Sequence, residues 1–133
     1  ENTRSIYSFL IENLGEVIEA IDHFKPQVLV GPSGPFEIIE SWRGLKPQHF
    51  GNNIDVDHVK NLSEQVLSSD QKERFSLKCM PANRADLAFE SFCLLDFVIS
   101  QLPSVKSINV TPYALKEGVI YELLYRLPSQ DNL

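Results

Sequence analysis

Apolar residues recur at helical spacing over residues 5–22, where Ile6, Leu10, Leu14, Val17, Ile18 and Ile21 line one side of the chain. The pattern predicts one amphipathic helix, with Gly15 lowering its propensity without breaking the period. After Pro26 the period changes. Gln27-Val28-Leu29-Val30 is a short β-branched run ending at Gly31, the signature of a strand buried on both faces. Gly31-Pro32-Ser33-Gly34-Pro35 is a tight turn, and Phe36 to Trp42 resumes helical spacing through Phe36, Ile39 and Trp42. Residues 44–54, with Gly44, Pro47, Gly51 and Asn52-Asn53, read as loop. Asp55-Val56-Asp57 starts a helix carrying Val59, Leu62, Val66 and Leu67, and Ser69-Asp70 caps a short one containing Lys72-Glu73-Arg74. Met80-Pro81-Ala82-Asn83 is a break.

From Arg84 to Leu102 apolar residues occupy nearly every face, so this helix is expected to be central and covered on most sides. Pro103 ends it. Val105 to Val110 reads as a second strand, Tyr113 to Leu124 as a last helix with apolar Leu115, Val119, Ile120 and Leu123, and residues 128–133 as a polar tail. Strands joined through helices lie parallel with right-handed crossovers. The expected fold class is therefore helix-rich α/β in one segment, 1–133, with a small parallel sheet of two strands. Two strands make a thin sheet, since natural sheets usually hold more.

Composition narrows the function. The 133 residues are 43% hydrophobic and 23% charged, enough for a packed core. Twelve Lys and Arg against 18 Asp and Glu leave a net charge of −6, which argues against general nucleic-acid binding and against adhesion to anionic membranes. No apolar run is long enough to span a bilayer. Cys79 and Cys93 match no zinc or redox spacing and read as buried thiols of a reducing, cytoplasmic setting. No secretory leader pattern is present at the N-terminus.

Candidate chemistry is sparse. The strand, glycine-bracketed turn and helix start from Val28 to Glu37 can turn backbone N–H groups and a helix N-terminus toward an anion. A plain structural turn fits the same residues, and Pro32 and Pro35 delete two donors that a phosphate cradle uses. Arg84-Ala85-Asp86 opens the long helix, with Asp86 favoured by the helix dipole and Arg84 able to pair with a carboxylate elsewhere. Lys116-Glu117-Gly118 lies just past the second strand, at the edge where open α/β sheets bind ligands. A solvated charge pair explains it equally well. Gly118 within a helical pattern suggests close packing of backbone against something. His23, His49 and His58 fall in unrelated segments without metal-ligand spacing.

The stretch VLVGPSGPFEII, followed by KERF, RAD and LKEGVI in that order, resembles the exopolyphosphatase / guanosine pentaphosphate phosphohydrolase family of actin-like proteins. Gly31, Ser33 and Gly34 match the family's glycine turn and Glu73-Arg74 its E-R pair. Arg84-Ala85-Asp86 match its R-A-D, and Leu115 to Ile120 its final motif. Pro35 replaces the turn's usual threonine, Pro32 a small residue, and Lys116 the usual arginine. The family's D-x-G-G-G-S phosphate loop and its catalytic glutamate have no counterpart in these residues.

The resemblance implies the C-terminal portion of the second actin-like domain, lacking its first three strands, in keeping with a start at Glu1. It implies hydrolysis of phosphoanhydride bonds in polyphosphate or guanosine pentaphosphate by the intact protein. Magnesium would serve that intact enzyme, with no cofactor bound by this segment. The segment would contribute Gly31, Ser33, Gly34, Glu37, Glu117 and Gly118 to substrate binding, Arg84 and Asp86 to structure, and no catalytic residue. The expected partners are a phosphate substrate and, through an open sheet edge, a second copy of the chain. Two other readings stay open: a non-catalytic binding or interaction module built on an actin-like half-domain, and an unrelated small α/β regulator with a complete sheet of its own.

Overall fold

The computed structural model describes residues 3–32, 34–78 and 80–125. Ser33, Cys79 and the polar tail lie outside the described residues. The chain begins with α1 (Thr3–Asn13) and α2 (Gly15–Phe24), then β1 (Leu29–Pro32) and α3 (Pro35–Trp42). Next come β2 (Asn52–Asp55), α4 (Val56–Ser68) and α5 (Gln71–Ser76). A 3-10 turn, Ala85–Leu87, leads into α6 (Ala88–Ser100), followed by β3 (Ser107–Thr111) and α7 (Leu115–Tyr125).

The sheet has the order β1-β3-β2. β1 and β3 are parallel, in register from Leu29 opposite Ile108 to Pro32 opposite Thr111. This is the crossover expected from strands separated by helices. The third strand corrects the loop expected at 44–54. β2 runs antiparallel to β3, with Asn52 opposite Val110 and Asp55 opposite Ser107. Its turn-like Asn52 is drawn inward by partners far from it in the chain: the buried amide donates to Glu40 Oε1 at 2.6 Å and to the Lys46 carbonyl at 2.9 Å. Asp55 ends the strand and caps α4, accepting from the Asp57 N–H at 2.8 Å.

The core lies between the sheet and three helices. Ile38 and Ile39 of α3, Val59, Leu62 and Val66 of α4, and Phe92, Leu95 and Ile99 of α6 meet Ile54, Ile108 and Val110 from the strands. As its composition predicts, α6 is central: α1, α3 and α4 all pack on it. Tyr7 ties α1 down by donating its hydroxyl to Asp96, with its ring edge-on to Phe97 at 5.7 Å. Burial, then the bond to the Asp96 carboxylate, push the Tyr7 phenol well above its usual range.

Other expectations need correction. The first helix breaks at Leu14, although backbone bonds run on from Leu14 to Leu10 and from Ile18 to Leu14. The long helix opens as a 3-10 turn after Arg84 rather than at Arg84 itself. β1 is not buried on both faces. Among the described residues it is an edge strand, and its Val30 is 53% exposed. Leu115, Val119, Ile120 and Leu123 of α7 are likewise exposed, and α7 buries none of its residues. Among the described residues no helix is long and apolar enough to cross a membrane.

Candidate functional site

Parallel pairing sets the carboxyl ends of β1 and β3 side by side, Pro32 next to Thr111. The turn into α3 and the connection into α7 therefore open onto one edge of the sheet, the edge at which such sheets bind ligands. Because β2 is antiparallel, the stretch that precedes it ends there too.

Two glycines of the first turn serve different needs. Gly34 caps α3 at φ +59° and ψ −129°, a conformation open to glycine, and a Cβ there would meet nothing within 4 Å. Gly31 is buried and constrained by contact: a Cβ would lie 2.2 Å from Phe36 Cε1. Its smallness lets α3 close onto β1. Pro35 occupies the first helical position, where its missing N–H costs little. Among the described residues no side chain caps α3, so the N–H groups of Phe36 and Glu37 are offered to water or an anion.

The start of α3 borders a cleft of about 310 Å³ lined by Gly34, Pro35, Ile38, Asn83, Arg84, Leu87 and Ser91. Arg84 Nη2 donates to Glu37 Oε2 at 2.5 Å, with the two side chains 36% and 51% exposed. The pair joins the first turn of α3 to the entry of α6. It also presents a guanidinium to the cleft, held in place by a carboxylate that a bound anion can displace. Asp86 faces elsewhere and accepts from Gln71 Nε2 at 2.9 Å.

Glu73 and Arg74 have structural positions. Asp70 and Glu73 form a reciprocal capping box on α5, at 2.8 and 2.7 Å. Arg74 is fully buried, donates to the Ser69 carbonyl at 2.7 Å and lies 5.4 Å from the Phe89 ring centroid.

Glu117 turns back on its own helix. It accepts from the Ala114 N–H at 2.8 Å and lies 3.4 Å from Lys116 Nζ. The Ala114 N–H is the main reason its carboxyl is held below the usual range. Gly118 is exposed, and a Cβ there would meet nothing within 4 Å, so the close packing expected at this glycine is not found. The fold thus brings Gly34, Glu37 and Arg84 together and leaves Glu117 and Gly118 beyond β3. Asn83 and Ser91 line the cleft without any signal in their sequence context. The same holds for the hydrogen bond between Tyr113 and His49, 64 residues apart.

The sequence matches the Ppx/GppA phosphatase family over residues 1–127. The chain belongs to this family. Three crystal structures of similar architecture bear on this Ppx/GppA chain. An exopolyphosphatase from Cytophaga hutchinsonii is 26% identical with a TM-score of 0.79, over 92% of this chain and 41% of that one. An exopolyphosphatase-like protein is 17% identical with a TM-score of 0.79, over 94% and 43%. The Ppx/GppA family member from Aquifex aeolicus is 15% identical with a TM-score of 0.71, over 97% and 42%. The chain therefore spans about two fifths of each of these structures. Its fold is the helix-rich α/β fold of an actin-like domain, with a three-stranded mixed sheet.

Magnesium favours several hard oxygen ligands. The described residues contain no group of three or more His, Cys, Asp or Glu placed to hold a metal. Among the described residues that line the cleft there is no carboxylate, and Glu37, next to it, is engaged by Arg84. This donor set does not fit a magnesium ion.

Proposed function

We propose that this chain forms one wall of the substrate cleft in a Ppx/GppA phosphohydrolase, acting on phosphoanhydride bonds of polyphosphate or a guanosine phosphate. The reading places it as the C-terminal part of the second actin-like domain. The phosphate loop, the catalytic carboxylate and the magnesium site would belong to other parts of a family-length protein. The observation that carries it is the cleft at the carboxyl edge, lined by Arg84 and by Gly34 and Pro35 at the start of α3, with Glu37 paired to the Arg84 guanidinium. An anionic substrate would displace Glu37, pair with Arg84 and accept from the Phe36 and Glu37 N–H groups.

The open side of β1 supports the same placement. β1 has a strand partner on one side only among the described residues, and its Val30 is exposed. Such an edge suits further strands of the same domain, and pairing with a second copy of the chain is the competing use.

Two experiments test the proposal. The 133-residue chain, incubated with polyphosphate and magnesium, should show no turnover. A rate comparable to a full-length relative would refute the missing-site argument. In titrations with inorganic phosphate the amides of Gly31, Gly34, Phe36 and Glu37 should shift. Silence there would favour the non-catalytic interaction module, the reading supported by the donors that Pro32 and Pro35 remove.

A further inference from the structure

α7 has the sequence of a buried helix and the surroundings of an exposed one. Seven of the 11 residues of Leu115–Tyr125 are large and apolar, and each is exposed, from Leu115 at 84% to Val119 at 48%. They are spread around the helix, and a helix apolar all round is one that a folded protein covers. Gly118 stands in its middle. Glycine weakens a helix interior relative to alanine. Nothing among the described residues calls for it here, since a Cβ would meet nothing within 4 Å. Such a glycine fits a place where a second backbone comes close.

Charge and area bear on what that second backbone is. Leu115, Gly118, Tyr121 and Tyr125 follow at spacings of three and four, so they share one uncharged stripe along α7. The chain carries a net charge of −6, so two copies repel one another except where such an uncharged surface leads. The stripe offers no carboxylate to a basic partner. An antiparallel crossing of two α7 helices at Gly118 sets Leu115 of each copy against Tyr121 of the other, the self-complementary arrangement of a two-fold dimer. Tyrosine is favoured in interface cores, and the Tyr121 and Tyr125 rings already lie 4.8 Å apart. Taking about 100 Å² for an aliphatic side chain and 200 Å² for an aromatic one, α7 exposes on the order of 600 Å² of apolar surface. A specific dimer buries roughly 600–1,000 Å² per partner. We infer that α7 is a self-association surface through which two copies of this chain pair about Gly118. The inference goes beyond the cleft-wall reading and is independent of it.

The test is sedimentation equilibrium of the 133-residue chain from micromolar to millimolar concentration, where a monomer–dimer equilibrium should appear. Gly118→Leu places a good helix former at an open position, so its helix content by circular dichroism should not fall. It should nonetheless weaken dimerisation roughly tenfold or more. Leu115→Lys, at the most exposed residue of the stripe, should do the same. Val30→Lys, on the exposed face of β1, should leave the equilibrium unchanged. A monomer throughout, a dimer that tolerates both α7 changes, or a dimer lost on Val30→Lys alone would overturn the inference. None of these outcomes touches the response of the Gly34 amide to phosphate, which reads the cleft.

Discussion

Replacing Gly31 with alanine tests how the turn is positioned. The new Cβ would lie 2.2 to 2.4 Å from three carbons of the Phe36 ring, so the ring must retreat by about 1.2 Å to reach the 3.4 Å of ordinary contact. Phe36 packs against the core, which leaves it little space to yield. Overpacking of this kind costs about 1–3 kcal/mol. The alanine returns about 0.4–1 kcal/mol by restricting the unfolded chain. The net loss should be about 1–2 kcal/mol, a fall in Tm of about 4–8 °C for a chain of this size. Phe36→Leu, with a smaller side chain, should remove much of that penalty in the double variant, so the two changes should be strongly non-additive. Urea denaturation of the four proteins provides the cycle. Gly31→Ala at wild-type stability, or strict additivity with Phe36→Leu, would show that α3 is not held by this contact.

Arg84→Met should cost no more than about 1 kcal/mol, because its ion pair with Glu37 is half exposed. It should nonetheless abolish the response of the Gly34 and Glu37 amides to tripolyphosphate, measured by NMR, and a retained response would remove Arg84 from the site. Ser63 is buried in α4 and its hydroxyl has no hydrogen-bond partner among the described residues. Ser63→Ala should therefore be neutral or raise stability by up to about 1 kcal/mol, read by thermal unfolding. Asp70→Ala removes the α5 capping box and should lower stability by about 1 kcal/mol, whereas Asp70→Ser should recover most of it. The Glu117 carboxyl lies lower in the folded chain than in the unfolded one, chiefly through the Ala114 N–H. Its contribution is complete above the unfolded value and fades as the pH falls through the folded one. Thermal melts of wild type and Glu117→Gln should converge in acid, and a gap that widens there would contradict this.

Local rules were legible in the sequence wherever their causes were local. Asp55 and Asp70 were readable as caps because a side chain and a backbone N–H two or three residues away are enough to make one. The period of α4 and the apolar faces of α6 depend only on their own residues. β2 escaped because its residues look like a turn, and pairing with β3 together with the bond from Asn52 to Glu40 overrides that preference. Val28, Leu29 and Val30 are apolar and suggest a doubly buried strand, yet composition does not reveal that among the described residues no helix covers the face carrying Val30. At the site, the sequence suggested that Arg84 could pair with some carboxylate. The identity of Glu37, 47 residues away, follows only from folding. Gly31 and Gly34 both stand out in the sequence, but their separate demands, one steric and one conformational, arise only in the folded turn.

The cleft-wall account is tested most directly by a crystal structure of the 133-residue chain grown with inorganic tripolyphosphate. The account predicts a phosphate group between Arg84 and the first turn of α3, accepting from the Phe36 and Glu37 N–H groups, with Glu37 released from the guanidinium. Tripolyphosphate bound elsewhere, with the pair between Arg84 and Glu37 unbroken, would contradict it.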